Sequence, residues 1–172
     1  MTSLPLFLYT AAQSRAVDRC AIDEHGLPGP LLMARAARSA FELLLEREPE
    51  PELLQLLCGP GNNGGDGLLF AALARGRGIP VRLFLVGGEP RSEDARAAAE
   101  KARSAGLALE AFDAAALETR GVVVDAMLGT GISGAPRAAF AEAIDAVNAL
   151  GVPVLALDVP SGVNSDTGHA EG

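Results

Sequence analysis

The chain has 172 residues, 14 basic against 22 acidic side chains for a formal net charge of −8, and 49% apolar against 21% charged residues. That length can bury one core without disulfides or metals, and the acidic balance opposes non-specific attraction to nucleic acid or an anionic membrane, so any anionic ligand needs local donors. Aromatic residues are 4% with no tryptophan, which leaves Leu, Ala and Val to build a core of small, closely packed side chains.

At the N-terminus Leu4-Pro5-Leu6-Phe7-Leu8 is apolar, but no Lys or Arg precedes it and Gln13, Arg15 and Asp18 follow at once, the wrong flanks for a secretory signal. No run reaches the length of a membrane span, and a soluble, cytoplasmic protein is expected. Thr10-Ala11-Ala12-Gln13 has the form of a capping box, and Val17, Ala21 and Ile22 follow at helical spacing until Gly26, which predicts a helix over 11–25. Pro30 suits the first turn of a second helix, whose apolar positions run from Leu31 to Leu44 until Pro49-Glu50-Pro51 stops it. From residue 53 an apolar run, a glycine turn and a helical stretch recur. Strands are expected at 53–58, 81–87, 107–112, 121–127 and 152–158, and helices at 66–76, 92–105 and 136–149, with a short one near 113–118. Val122-Val123-Val124 and Val154-Leu155-Ala156-Leu157 lack alternation, as strands covered on both faces do. The expected fold is a Rossmann-like three-layer α/β/α sandwich, its mostly parallel, doubly wound sheet ordered 3-2-1-4-5 and preceded by two N-terminal helices. Cys20 and Cys58 show neither C-x-x-C nor His-rich spacing, so two buried, reduced thiols are expected rather than a disulfide framework or a zinc site.

In that order strands 1 and 4 are neighbours whose following connections leave in opposite directions, opening a crevice where ligands bind. The loop after strand 1, from Gly59 to Gly67, and the loop after strand 4, Gly129-Thr130-Gly131-Ile132-Ser133-Gly134, both spell G-x-G-x-x-G, and strand 5 ends in Asp158-Val159-Pro160-Ser161-Gly162. Each glycine loop alone is a tight turn as readily as a ligand cradle. Three loaded segments converging on one sheet edge favour a binding site. An ordinary dinucleotide fold fits the first loop less well: Gly64-Gly65-Asp66-Gly67 delays the helix, and Asp66 places a carboxylate where pyrophosphate would sit. Asp66 reads equally as the N-cap of the helix that follows or as a ligand contact. Glu89, after strand 2, lies beyond the usual spacing for a ribose-binding acid, and neither loop contains the Gly-Lys-Ser/Thr of a P-loop. Asn63, Asp125 and Ser161 offer an amide oxygen, a carboxylate and a hydroxyl, a set that suits a hard cation, although helix capping and turn hydrogen bonds account for them as well. Asp158 is a candidate general acid or base, or the cap of the next turn. Neither His25 nor His169 supports a Ser-His-Asp triad, and Ser161 lacks the G-x-S-x-G setting of a hydrolase.

At these residues the sequence resembles the YjeF N-terminal domain family, the NAD(P)HX epimerases. The resemblance is carried by "LLCGPGNNGGDGLLFAALARGRGIPVRLFLVG", "VVVDAMLGTGISGAPR" and "VLALDVPSGVNSDTG", supported by the N-terminal helices, and so spans nearly the whole chain. It implies an isomerase of metabolite repair that interconverts the R and S forms of hydrated NADH and NADPH, so that an S-specific dehydratase can restore the coenzyme. It also implies substrate binding by Asn62, Asn63, Gly64, Gly65 and Asp66, by Gly129, Thr130, Gly131, Ile132, Ser133, Gly134 and Ala135, and by Asp158, with a potassium ion held by Asn63, Asp125 and Ser161 and a homodimeric assembly. Asp158 is the candidate catalytic acid/base. Two departures stand out. Many relatives open the second helix with Met-Glu-Asn-Ala-Gly where this chain has Met33-Ala34-Arg35-Ala36-Ala37, and relatives continue past Thr167-Gly168 with further strands. A single YjeF N-terminal-like domain over 1–172 is expected, truncated at its C-terminus, either as a trimmed form or as the front of a longer polypeptide with a dehydratase fused behind it. A non-catalytic interaction scaffold and an NAD-dependent oxidoreductase are the competing readings; the retained Asn63, Asp125, Asp158 and Ser161 argue against the first, the long NNGGDG loop and the missing ribose acid against the second.

Overall fold

The apolar run at 53–58 becomes the centre of the sheet. In a computed structural model, which describes residues 8–131 and 134–170, Leu54–Cys58 forms strand β1 with all five residues buried. It pairs in parallel with β2 (Val81–Leu85) on one side and β4 (Val122–Ala126) on the other. The short strands β3 (Glu110–Ala111) and β5 (Val154–Ala156) complete the expected order β3-β2-β1-β4-β5, every pairing parallel.

Side chains alternate across the strands and so supply two cores. On one face α2 (Gly29–Arg47), α3 (Asn62–Gly76) and α4 (Glu93–Ser104) cover Leu54, Leu56, Leu83 and Val124, with Phe41 and Phe70 meeting edge to face at 5.2 Å between ring centres. On the other, α5 (Ala138–Leu150) lays Phe140, Ala143 and Val147 over Leu57, Phe84 and Val123. Gln55 is buried in β1 and fully used: its Nε2 donates to the carbonyls of Glu118 (2.8 Å) and Arg120 (3.2 Å), and its Oε1 accepts from Glu118 N at 2.7 Å. A polar side chain in mid-strand thereby ties down the approach to β4.

The helix α1 (Ala11–Asp23) carries the expected capping box: Gln13 N donates to Thr10 Oγ1 at 3.2 Å and Thr10 N to Gln13 Oε1 at 2.9 Å. Its apolar stripe is not buried, however; Val17 and Ile22 are exposed and only Ala11 is covered. The 107–112 strand shrinks to two paired residues, because Leu107 turns into the helical core instead of extending the ladder. The expected short helix is a 3-10 turn over Ala114–Ala116 capped by Asp113. Cys58 is buried as expected, but Cys20 is only half-buried.

The largest correction concerns α3. It begins at Asn62, not at 66, so Asp66 lies inside the helix and does not cap it, and the glycine motif opens the helix instead of delaying it. Glycines inside a helix each cost about 1 kcal/mol relative to Ala, which is why propensity places the start too late. Sterics overrule it. A Cβ on Gly64 would lie 1.8 Å from the Gly59 carbonyl oxygen, one on Gly65 2.7 Å from Met33 Cε, and one on Gly67 2.5 Å from Ala126 Cβ. The glycines let the first turn of α3 press against β1, β4 and α2.

Candidate functional site

Three segments meet at the carboxyl end of the sheet, as the strand order requires: the start of α3, the loop after β4 and the loop after β5. They enclose a cleft of about 860 Å³ whose walls include Asn62, Asn63, Asp66, Gly129, Thr130 and Asp158. The cap residue of α3 is Gly61, which offers no side chain to the first helical amides. Those amides are left for a ligand, at the positive end of the helix dipole.

The Asp125, Ser161 and Asn63 side chains form one network through the backbone of Leu128. Ser161 Oγ donates to Asp125 Oδ1 at 2.6 Å, and Ser161 N to Asp125 Oδ2 at 2.8 Å; Met127 N adds a bond to Oδ1 at 3.1 Å. Leu128 N donates to Ser161 Oγ at 3.0 Å, while the Leu128 carbonyl accepts from Asn63 Nδ2 at 2.8 Å. This fixes the Asn63 amide with its Oδ1 inward, buried and, among the described residues, without a donor. A buried acceptor left in that state costs free energy unless a cation or a water answers it. Among the described residues no group of three or more His, Cys, Asp or Glu side chains is placed to hold a metal. The oxygen set at Asn63, Asp125 and Ser161 carries one carboxylate only, and its donors are of the kind that could hold a hard cation.

Asp158 Oδ2 accepts from Thr130 N at 2.8 Å. The approach is close enough that a Cβ on Gly129 would lie 2.3 Å from the same oxygen, so the glycine loop after β4 is shaped around this carboxylate. Asp66 faces it across the cleft. Burial first, then the nearby charges of Asp158 and Asp18, raise the Asp66 carboxyl to about 7. The repulsion of pyrophosphate expected from Asp66 is therefore relieved in the fraction of molecules that carry this proton. Beneath the cleft, burial and then Asp125 push the Cys58 thiol far above its ordinary range, which leaves it an inert packing group.

Ile132 and Ser133, expected in the substrate loop, lie outside the described residues; Gly131 and Ala135 line the cleft. Glu89 does not face the cleft: its carboxylate pairs with Arg103 at 3.4 Å beside a separate surface recess. Sequence reasoning missed the groups that α1 contributes. Ser14, Arg15 and Asp18 form one wall, with Arg15 Nη1 donating to the Thr130 carbonyl at 3.0 Å. It also missed Arg91 and Arg137, which line the cleft from the loop after β2 and the start of α5. Their positions just beyond a strand end and at a helix start were the available signal; nothing local marks Arg15.

Fold and cleft together define an α/β domain of the Rossmann-like class, with its cleft at the switch between β1 and β4, where ligands bind in such folds. More particularly, residues 30–172 match the family described as YjeF-related protein N-terminus, and the chain belongs to that family. It is 42% identical over 166 residues to the "Bifunctional NAD(P)H-hydrate repair enzyme Nnr" of Coxiella burnetii, covering 96% of this chain and 34% of that protein. With the "NAD(P)H-hydrate epimerase" of Rhodopirellula baltica it shares 38% identity over 165 residues, covering 93% of this chain and 67% of that one. The chain thus spans about a third of the length of the bifunctional relatives it matches. The crystal structure of yeast ynu0 (YNL200c) superposes with a TM-score of 0.84 at 20% identity, over 92% of this chain and 72% of that one, a likeness of fold.

Proposed function

We propose that the cleft epimerises hydrated NADH and NADPH, interconverting the R and S forms for use by an S-specific dehydratase. One observation carries the reading: Asp158, held by the Thr130 amide, shares a cleft with Asp66 and with the uncapped start of α3, and the carboxylates supply a base and an acid where the helix amides can anchor a pyrophosphate. The names of the relatives agree with it.

The reacting carbon bears a hydroxyl beside the ring nitrogen. Protonation of that hydroxyl lets the C–O bond break, water leaves, and the nitrogen lone pair forms an iminium. Water then adds to the opposite face and loses a proton to a carboxylate. The substrate gains and loses no net proton, but the proton passes from the donor carboxyl to the acceptor, so one acid and one base suffice provided that a water returns it between turnovers. Asp66, protonated near neutrality, suits the donor, and Asp158, which already accepts one amide bond, suits the acceptor. Asn63 Oδ1, Asp125 and Ser161 Oγ would hold a potassium ion, which when bound supplies a fixed positive charge beside the substrate.

The same reading places the protein in the cytoplasm, where two free thiols are at home, and makes it a homodimer, supported by apolar side chains that α1 and α2 leave exposed. The printed name of the bifunctional relatives supports pairing with a second repair activity. The test mixes the purified protein with R-NADHX and an S-specific dehydratase, in potassium and in sodium buffer. Faster NADH recovery than with dehydratase alone, larger in potassium, is expected; recovery no faster than the spontaneous rate would defeat the reading.

A further inference from the structure

A protein of net charge −8 concentrates three guanidiniums on one cleft: Arg15, Arg91 and Arg137. Arg15 is engaged with the Thr130 carbonyl. Arg91 and Arg137 are exposed, line the cleft, and among the described residues make no ion pair with a carboxylate. Exposed guanidiniums without partners beside a cleft suit phosphate groups, which they bind in paired, charge-assisted hydrogen bonds.

The sheet order tells the two arginines apart. With a pyrophosphate at the first turn of α3, a dinucleotide must send one half over β2 and the other over β4. The Asn63, Asp125 and Ser161 oxygens and Asp158 all lie on the β4 and β5 side, so the reacting nicotinamide belongs there and the adenosine half runs over the loop after β2. That loop is fixed against the glycine motif: Arg91 N donates to the Pro60 carbonyl at 2.9 Å, and Ser92 Oγ to Asn62 Oδ1 at 2.6 Å. A site built for a free ribose 2′-hydroxyl places a carboxylate here, and one built for a 2′-phosphate places an arginine. Glu89 is turned away onto Arg103, while Arg91 faces the cleft.

We propose that Arg91 recognises the 2′-phosphate of the adenosine ribose and makes the phosphorylated dinucleotide, NADPHX, the preferred substrate. The proposal rests on the epimerase reading for its substrate, but its test can be read without turnover. Calorimetry with ADP-ribose and 2′-phospho-ADP-ribose as probes should give the second an affinity about tenfold higher in the wild type, as charged hydrogen bonds imply. Arg91→Ala should remove that preference and leave ADP-ribose binding unchanged, Arg91→Lys should restore part of it, and Arg137→Ala should weaken both probes alike. In turnover, Arg91→Ala should raise KM for NADPHX alone, at constant kcat. Equal wild-type affinity for the two probes, no binding of either, or an equal loss of both in Arg91→Ala would overturn the assignment. A retained probe preference without epimerisation would sink the epimerase reading and leave the 2′-phosphate site standing.

Discussion

Asp66 keeps its proton to a higher pH than an ordinary aspartate. Its carboxyl is raised to about 7 by burial and then by Asp158 and Asp18, so between about pH 4 and pH 7 the folded state binds more protons at this site than the unfolded chain does. Stability contributed by this group is therefore greatest at the acid end and is lost as pH rises through 7. Asp66→Asn should flatten that fall, melting a few degrees above the wild type at pH 8 and close to it at pH 4; identical slopes in calorimetric melts would show that Asp66 titrates normally. Asp158→Asn keeps an oxygen for the Thr130 amide but cannot take a proton. It should lower epimerisation by about 100-fold while leaving the circular dichroism spectrum and the melting temperature nearly unchanged. That both residues meet in one cleft was legible from their place beside glycine loops. The proton on Asp66 was not, because it depends on carboxylates from α1 and from the loop after β5, segments far apart in the chain.

At the scale of elements, strand order and the positions of the helices followed from apolar runs and turn residues, and the start of α3 failed for one reason. Helix propensity scores a glycine by its own backbone freedom, whereas Gly64 and Gly65 are set by what a methyl group would strike. A Cβ at Gly64 meets the Gly59 carbonyl, a backbone atom that cannot retreat without breaking the turn; at Gly65 it meets the end of the Met33 side chain, which can swing away, and the Ala95 Cα at 3.2 Å, which has to give by only a few tenths of an ångström. Gly64→Ala should therefore destabilise by about 3 kcal/mol or more as over-packing. Gly65→Ala should stay within about 1 kcal/mol, since the gain in helix propensity offsets the repacking of Met33. Urea titration of the two variants separates the possibilities. If the helix began at 66, as propensity suggests, the loop would accept both alanines equally. In α1 the 3.6-residue periodicity gave the helix correctly, but periodicity says only that a helix has two faces, not that the apolar one is covered.

In the whole molecule α1 is set apart, since it closes one wall of the cleft yet buries only Ala11. Its attachment is polar: Ala11 N donates to Asp166 Oδ1 at 2.6 Å, and Arg15 reaches the Thr130 carbonyl at 3.0 Å. Asp166 sits in a turn organised by Asn164, whose Oδ1 accepts from Asp166 N at 3.0 Å and Thr167 N at 3.1 Å, and that turn follows directly on the segment carrying Asp158 and Ser161. The segment that carries Asp158 thus also anchors the helix that walls the cleft beside it. An element with few buried apolar contacts opens at low free energy, so α1 should exchange its amide hydrogens well before β1, whose residues are fully buried. Asp166→Ala removes one exposed-end hydrogen bond and should cost about 1 kcal/mol or less in global stability. It should nevertheless speed α1 exchange several-fold and raise the substrate KM, because the wall formed by Ser14, Arg15 and Asp18 is then populated a smaller fraction of the time. Saturating dinucleotide should restore the protection in the variant. Exchange in α1 as slow as in the sheet, or unaffected by Asp166→Ala, would mean that α1 belongs to the core and takes no part in opening the cleft.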